Sequence, residues 1–416
     1  MFTSLTMKKT LLIPWFQYPQ LLQNFTNDLV FSELATLRPA SPKSSPADGN
    51  HNLTLGEHGL GLDSLELMGI STSLARSIHM HESHFEDNFL DKTLLKDWRS
   101  IVLQSLEIFS ERISFKTSGS TGVKKYCTHK LENLEEEAQF LAGLMAGRQR
   151  ILCAVPSHHI YGFIFSILLP RYLSTTTQII DIRALSANAL ISIMAPGDLV
   201  LGFPEFWKYI DEAGVEFSAD IAGVNSTGPC PNHVGVSLLN RGLSKFYEVY
   251  GSSETAGIGW RLQPNDAYTL FPFWVKQSIG PELQRASSNG QPFTVNLLDN
   301  LQWFSTNRFI VSGRIDDIVQ IGGINVSLQY VRDILKKHPV VKDASVRMMM
   351  EEEGNRLKAF IVFNEHDEEL LALNSLNEYI NTVLLPYERP KSIKIGPRLP
   401  TNKIGKLCDW YIGIKI

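Results

Sequence analysis

The sequence contains few cysteines, and it lacks an excess of basic residues. The four cysteines form no Cys-x-x-Cys pair, so they offer no zinc site and suit a reducing compartment. The formal net charge of the 416 residues is −4, whereas a general binder of nucleic acid or acidic membranes would show clustered basic residues. We therefore expect a cytoplasmic protein without a nucleic-acid or membrane partner.

Long apolar runs are also missing. The most apolar segment, YGFIFSILLP at 161–170, is too short to span a bilayer. The stretch MKKTLLIPWFQYP at 7–19 places two lysines before an apolar run. That run is short, Pro14 interrupts it and no small-residue cleavage site follows, so we expect no signal peptide. With 44% hydrophobic and 20% charged residues, the composition is typical of a globular protein with two or three domains.

The pattern of predicted elements changes near residue 113. Before it, residues 62–78 have an apolar face at helical spacing, and residues 91–109 predict a second helix. The apolar face consists of Leu62, Leu65, Leu67, Met68, Ile70, Leu74 and Ile78. Beyond residue 113, short apolar runs alternate with helical patterns such as 132–147, which predicts an α/β architecture. The last hundred residues predict a small α+β unit.

Residues 115–125, FKTSGSTGVKK, combine glycines, hydroxyl side chains and lysines. Gly119 and Gly122 permit backbone conformations that expose N–H groups, and Lys125 supplies a positive charge. The hydroxyl donors are Thr117, Ser118, Ser120 and Thr121. This combination is typical of a phosphate-binding loop, although the Walker pattern cannot be placed here. From these residues alone, a solvated surface loop is an equal alternative.

Five further segments accompany this loop, and together the six resemble the motifs of the adenylate-forming (ANL) superfamily, in the family's order. They are VPSHHIYG (155–162), NSTGPCP (225–231), YGSSET (250–255), SGRIDDIVQIGGINV (312–326) and LPTNKIGK (399–406). The superfamily includes acyl- and aryl-CoA synthetases, luciferases and the adenylation domains of peptide synthetases. The resemblance covers residues 115–406.

The resemblance implies an α/β fold with a shortened adenylate-forming large domain at 113–313. A small α+β C-terminal lid would follow at 314–416, after a helical N-terminal region at 1–112. The implied enzyme is an acid–thiol ligase that depends on ATP and Mg²⁺. It would join a carboxylic acid to the α-phosphate of ATP and expel pyrophosphate. The thiol of CoA or of an acyl carrier protein would then attack the acyl-adenylate.

The resemblance also implies roles for individual residues in adenylation. The loop would bind the β- and γ-phosphates through Thr117, Ser118, Gly119, Ser120, Thr121, Gly122 and Lys125. Ser253 and Glu254 would contact the α-phosphate, and Glu254 would also hold magnesium, a cation that prefers oxygen ligands. Lys406 would bridge the substrate carboxylate and the α-phosphate as the main catalyst. Asp316 would be the hinge of the lid.

Further residues would complete the nucleotide and acid sites by the same resemblance. Tyr250 would lie against the nucleotide, Gly228 near the adenine and Arg314 at the ribose. His159 and Gly251 would contribute to the acid site.

At several positions the sequence departs from the family's pattern. Asn296 stands where a ribose-binding aspartate is usual, and an amide bonds a hydroxyl less strongly than a carboxylate does. Lys124 replaces a usual proline, Ser253 a usual threonine, and Asp409 stands near where arginine is common. None of these changes removes a group that the chemistry requires.

The segment VPSHHIYGF at 155–163 contains no carboxylate that could hold an α-ammonium group. We therefore expect an acid without an α-amine, and the aromatic residues favour an aryl or short acyl group. Two other readings stay open. One is a catalytically weak module that binds a nucleotide or a carrier protein, which Asn296 and the short leading region favour. The other is an enzyme that stops at the adenylate.

The N-terminal region contains LGLDSLEL at 60–67, which resembles the 4'-phosphopantetheine attachment site of acyl carrier proteins. By this resemblance Ser64 would hold the prosthetic arm. Asp and Ser are also common helix caps, so the match also fits an ordinary helix start. A third reading is a degenerate carrier remnant that only completes the acid pocket. The combination of segments resembles the ligase-like proteins of aryl-polyene and xanthomonadin pathways, which would favour an aryl acid loaded onto a carrier.

Overall fold

A computed structural model describes most of the chain, in two compact units. The described residues are 12–38, 53–56, 58–85, 89–117, 125–173, 177–218, 220–277, 282–286, 291–297, 299–314, 318–350, 353–364, 368–400 and 409–411. The first unit comprises the described parts of 1–117, 126–273 and 287–291. The second comprises those of 118–125, 274–286 and 292–416.

The first unit combines helices with two groups of strands. Its helices are α1 (Pro19–Leu37), α2 (Ser64–Ser77), α3 (Leu95–Ile108), α4 (Leu131–Leu144), α5 (Ile160–Gly162), α6 (Pro170–Leu173), α7 (Ala187–Ile193), α8 (Pro204–Glu212) and α9 (Asn232–Asn240). Its strands are β1 (Arg112–Lys116), β2 (Tyr126–Lys130), β3 (Arg150–Cys153), β4 (Gln178–Asp181), β5 (Asp198–Gly202), β6 (Ala222–Asn225), β7 (Lys245–Ser252), β8 (Ala256–Arg261) and β9 (Tyr268–Leu270). A π-helical segment, Phe163–Leu168, lies between α5 and α6, and 3₁₀ turns occur at Trp15–Gln17 and Met80–Glu82.

A sheet with strand order β4-β3-β5-β6-β7-β8-β9 forms the centre of the first unit. The pairs from β4 to β7 are parallel, and β8 and β9 add antiparallel pairs. Strands β5 and β6 are buried along their whole length, as expected of parallel strands covered on both faces. The α/β architecture predicted from alternating apolar runs and helices is confirmed.

Trp207 on α8 is the largest side chain of the core on one face of this sheet. It is fully buried, and its Nε1 donates to the carbonyl of Val224 at 3.2 Å. A Cβ added at Gly223 would lie 2.7 Å from the indole ring, so the strand must carry glycine where the tryptophan crosses it. The ring of Phe246 meets the indole edge-on, with centroids 5.2 Å apart.

The second unit consists of small sheets and two helices. Its strands are β10 (Trp274–Lys276), β11 (Glu282–Arg285), β12 (Phe293–Asn296), β13 (Asp299–Trp303), β14 (Arg308–Arg314), β15 (Ile318–Ile321), β16 (Ile324–Ser327), β17 (Val341–Met348), β18 (Leu357–Phe363) and β19 (Ser392–Ile395), and its helices are α10 (Leu328–Lys336) and α11 (Glu369–Val383). Val331, Leu335 and Leu376 of the helices share a buried cluster with the β17-β18-β19 sheet. The predicted α+β tail is therefore present.

A buried lysine attaches residues 409–411 to this sheet. Lys358 on β18 is fully buried, and its Nζ lies 2.7 Å from Glu353 and 3.2 Å from Asp409. The same ammonium donates to the carbonyl of Trp410 at 2.8 Å, and the Trp410 ring packs edge-on against Phe360. Asp409, the position near which arginine is common in the family, thus has a cationic partner in this chain.

The structure also differs from some expectations. Leu65 and Met68, assigned to the apolar face of α2, are 78% and 51% exposed, because α2 buries only one side, through Ile70 and Leu74. The described residues up to 112 share a compact unit with those of 126–273, and residues 292–313 belong to the second unit. This division into two units differs from the predicted domain boundaries at 112/113 and 313/314, which stay predictions.

Two further expectations concern the N-terminal half. The segment RPASPKSSPADGN at 38–50 is rich in Pro, Ser, Gly and Asp and predicts a linker or long loop; apart from Arg38 it lies outside the described residues. In the part of the chain that the structure describes, no helix combines the length and the apolar character needed to cross a membrane.

Replacing Trp207 with alanine should destabilise the first unit by about 3–5 kcal/mol, because the change leaves a large cavity in a packed core. The measurement is the free energy of unfolding from urea titration. Glu212→Ala, at an exposed position of the same helix, is the matched control and should change it by less than about 0.5 kcal/mol. Equal losses in both variants would contradict the packing role of Trp207.

Candidate active site

The hairpin of β1 and β2 brackets the segment predicted to bind phosphate. Lys116 and Tyr126 are direct cross-strand partners, so the hairpin fixes both ends of residues 117–125. Thr117 is half-buried and Lys125 is exposed. Ser118, Gly119, Ser120, Thr121, Gly122 and Lys124 lie outside the described residues.

The YGSSET segment forms a tight turn between β7 and β8. The Ser252 amide donates to Oγ1 of Thr255 at 3.1 Å, and the Glu254 amide donates to Oγ of Ser252 at 3.2 Å. Ser253 is half-buried and Glu254 is exposed. Ala256 closes the turn with φ of 59°, a left-handed conformation that is rare for alanine and is found mainly where surrounding structure enforces it.

Gly251 has a structural reason to be glycine. A Cβ at this position would lie 2.1 Å from the carbonyl oxygen of Ala256, because the two strands shift register between Tyr250 and Gly251. The ring of Tyr250 lies beside that of Tyr268, with centroids 5.8 Å apart. Tyr250 and Gly251 thus stand at the entrance to the turn that carries Ser253 and Glu254.

Two residues that sequence reasoning missed hold this turn in place. His129 on β2 donates from Nε2 to the carbonyl of Ser253 at 2.7 Å, which joins the hairpin to the turn. Glu137 on α4 is buried and accepts from the Gly257 amide with both carboxylate oxygens, each at 3.1 Å. The sequence offered one sign of a role for His129, its position in THK shortly after the loop. It offered no such sign for Glu137, which lies within a run of three glutamates.

A buried polar network lies beneath the segment predicted to face the adenine. Asn225 donates from Nδ2 to the carbonyl of Gly228 at 3.0 Å and to Oε1 of Glu248 at 3.4 Å. Burial raises the pKa of Glu248, while its close ion pair with Arg261 opposes this shift. Thr227, directly before Gly228, has φ of 74°. Like Ala256 after the Glu254 turn, it adopts a left-handed backbone conformation.

The acid-pocket segment carries neutral histidines. Burial lowers the pKa of His158 well below its ordinary value and also lowers the pKa of His159. His159 is nevertheless exposed to solvent. The Nδ1 atom of His158 is buried without a hydrogen-bond partner among the described residues.

A carboxylate from α1 holds the same segment. Asp28 accepts from the amide and the hydroxyl of Ser157, both at 2.7 Å. Arg183 lies 2.7 Å from the other oxygen of Asp28. The negative charge that contacts this segment through Ser157 is thus already paired with a cation.

Ser64 is the first residue of α2 and is exposed. The carboxylate of Asp63 accepts from the amides of Leu65 and Glu66 at 2.9 and 2.8 Å. Glu66 in turn accepts from the Asp63 amide at 3.0 Å. This reciprocal arrangement is a capping box, which accounts for the Asp-Ser-Leu-Glu sequence at a helix start.

The remaining predicted site residues belong to the second unit. Asn296 ends β12 and is exposed, and Arg314 ends β14. Asp316 and Lys406 lie outside the described residues. The structure thus joins the hairpin to the Ser253–Glu254 turn within the first unit.

The donor set within the described residues suits a weakly held hard cation. No group of three or more His, Cys, Asp or Glu side chains is placed there to hold a metal ion. Magnesium is usually bound through one or two carboxylates together with substrate phosphates. A single exposed carboxylate, Glu254, beside the hairpin that brackets the predicted phosphate-binding segment fits that mode and does not fit a closed zinc site.

Family models match both parts of the chain. A model described as AMP-binding enzyme matches residues 115–295, and one described as AMP-binding enzyme C-terminal domain matches residues 331–406. A relative named 4-coumarate–CoA ligase from Halorhodospira halophila is 35% identical over 346 residues, which cover 83% of this chain and 87% of the relative. A relative of the same name from Rhodobacter capsulatus is 33% identical, with coverages of 86% and 91%.

Solved structures show the same fold. An o-succinylbenzoate–CoA synthetase of Bacillus subtilis aligns with a TM-score of 0.58 at 19% identity, over 78% of this chain and 72% of that one. An amide bond synthetase from Marinactinospora thermotolerans aligns with a TM-score of 0.57 at 14% identity, over 92% of each chain.

These matches confirm the resemblance read from the six motifs and the predicted fold class. They cover the hairpin, the Ser253–Glu254 turn and the segment that contains Lys406. The chain belongs to the family of AMP-binding enzymes, as an acid–thiol ligase.

Proposed function

We propose that this protein activates an aryl carboxylic acid with ATP and transfers the acyl group to CoA. The observation that carries the proposal is the 35% identity to a 4-coumarate–CoA ligase across 83% of the chain. The connected hairpin and turn support it, because His129 of the hairpin that brackets the phosphate-binding segment is hydrogen-bonded to the turn that carries Glu254.

The first half-reaction depends on residues that bind and orient the triphosphate. Loop residues 117–125 would donate hydrogen bonds to the β- and γ-phosphates, and Ser253 would contact the α-phosphate. Magnesium, which Glu254 would help to hold, supplies positive charge to the phosphates when it is bound. Lys406 would neutralise the charge that develops between the carboxylate and the α-phosphate, and such electrostatic stabilisation is usually the largest catalytic term.

The other nucleotide contacts are proposed on sequence position. Tyr250 would lie against the nucleotide and Gly228 near the adenine, where the buried Asn225–Glu248 network supports the backbone. Arg314 and Asn296 would reach the ribose. Asp316 would be the hinge of the C-terminal lid.

The charges around the acid-pocket segment support an acid without an α-amine. The two histidines are neutral near pH 7, because burial lowers their pKa values. Asp28 is already paired with Arg183, so it would not compensate an ammonium group. His159 and the entrance at Gly251 would form the wall of a pocket for a neutral ring.

CoA is the acceptor that the relatives' name favours, and an acyl carrier protein is the alternative acceptor. A cytoplasmic location likewise remains a prediction. Asn296 favours a second candidate function, a catalytically weak nucleotide-binding module, because its amide is a poorer ribose ligand than a carboxylate. This module would bind ATP without acid-dependent pyrophosphate exchange.

Lys406→Ala should lower acid-dependent exchange of labelled pyrophosphate into ATP by about 10²–10³-fold, because one preorganised electrostatic contact is typically worth that factor. Lys403→Ala removes the same charge three residues away in the same segment, and we expect it to retain activity within about three-fold. Equal exchange in wild type and Lys406→Ala would refute the role of Lys406. Absence of exchange in the wild type across a broad acid panel would favour the binding module.

Acid selection has a matched pair of test compounds. 3-(4-Hydroxyphenyl)propanoate and tyrosine differ only in the α-amine, and we expect kcat/KM for the former to be at least about 10²-fold higher, because an unpaired ammonium is costly to bury. The measurement is thioester formation with CoA, with 4-coumarate as the reference acid. Preference for tyrosine would contradict the proposed acid class.

Ser64 is expected to serve only as the first residue of α2 and to carry no prosthetic arm, because the capping box of Asp63 and Glu66 accounts for the motif. The measurement is the intact mass after incubation with CoA and a phosphopantetheinyl transferase, with an acyl carrier protein as positive control. An unchanged mass is the expected outcome. A gain of one phosphopantetheine that Ser64→Ala abolishes would establish a carrier function.

A further inference from the structure

The two residues that bracket the phosphate-binding segment are each held by an N-terminal helix. Lys116, at the end of β1, donates from Nζ to both carboxylate oxygens of Glu33 on α1, at 2.7 and 2.6 Å. Tyr126, at the start of β2, has the guanidinium of Arg76 from α2 over its ring, 4.2 Å from the centroid. Ser73 on α2 lies between them, with Oγ 3.5 Å from Lys116 Nζ and 3.4 Å from the Tyr126 hydroxyl.

The Glu33–Lys116 pair is sheltered from solvent. The two side chains are only 16% and 25% exposed, so salt screens their attraction less than that of a surface pair. Both lysine–carboxylate contacts are short, which commits the Lys116 charge to Glu33. Lys116 is therefore poorly disposed to serve as a phosphate ligand itself.

A second set of contacts ties the same hairpin to the end of α2. His79 lies two residues beyond the helix, and its Nε2 is 2.9 Å from Oγ of Ser114 on β1. Ser114 in turn lies 2.7 Å from Oγ1 of Thr128 on β2. Both strands of the hairpin are thus attached to the N-terminal region.

We propose that Glu33 and Arg76 are positioning residues that set the ends of the phosphate-binding loop, so that α1 and α2 form a brace for ATP binding. The proposal rests on the proposed function of that loop. Lys116 and Tyr126 face each other across the hairpin, so holding both fixes the two points at which the phosphate-binding segment begins and ends. Preorganisation of this kind raises affinity by lowering the entropy lost on binding.

The brace is tested by swapping the charges of its ion pair, in the variants Glu33→Lys and Lys116→Glu and in the double variant that carries both. Each single variant places like charges together, and we expect its Kd for ATP to rise about ten-fold, while the double variant returns to within about three-fold of wild type. Kd is measured by titration calorimetry with Mg·ATP. The KM for the acid should change less than the Kd for ATP in all variants, because Lys116 directly precedes the phosphate-binding segment, whereas it acts on His158 of the acid-pocket segment only through its charge.

Glu107→Lys, at an exposed position of α3, makes the same charge change away from the hairpin and should leave the Kd unchanged. A double variant that binds ATP no better than the weaker single variant, while its circular dichroism matches wild type, would overturn the proposal. If charge-reversed variants fold poorly, Arg76→Gln serves instead, because it removes only the cation above Tyr126. It should raise the Kd for ATP about three-fold, and an unchanged Kd would refute the proposed role of α2.

The brace and the proposed function can fail separately. Wild-type exchange and thioester formation test the function, whereas the variants' Kd values test the brace. A wild type that binds ATP without exchange, combined with a restored Kd in the double variant, would retain the brace and refute the ligase activity. Normal wild-type activity without restoration in the double variant would refute only the brace.

Discussion

Charged side chains that the fold buries hold the segments of the candidate site, and each must keep its partner because an uncompensated charge in the interior is strongly destabilising. Glu137 accepts the amide that follows the Glu254 turn. Glu248, paired with Arg261, accepts from Asn225 beneath the segment predicted to face the adenine. Asp28, paired with Arg183, holds the acid-pocket segment at Ser157. The positions of these segments are therefore fixed by hydrogen bonds and ion pairs to carboxylates on helices and strands.

The local sequence was sufficient to predict elements with a strong pattern. Strand β5 is a continuous apolar run between helices, and its burial follows directly from that run. The YGSSET motif could also be recognised in the sequence, because position 251 has no room for a side chain and therefore carries glycine. The six-motif order identified the family because many weak signals agreed, although no single segment was decisive.

The supporting residues could not be predicted, because their roles arise from contacts distant in sequence. Glu135 and Glu137 stand in one acidic run, yet Glu135 pairs with Arg171 on α6 while Glu137 faces Gly257. Only the packing of α4 distinguishes them. The same holds for α2, where periodicity assigned Leu65 and Met68 to the apolar face, but the buried side of the helix carries Ile70 and Leu74 together with three serines.

The attachment of residues 409–411 has a consequence for exchanging lids between family members. Lys358 is fully buried and faces both Glu353 and Asp409, so the identity of residue 409 is coupled to that of residue 358. A C-terminal tail transplanted from a relative with arginine near this place would set a guanidinium against the buried ammonium. A functional chimera would therefore have to exchange the tail and strand β18 together.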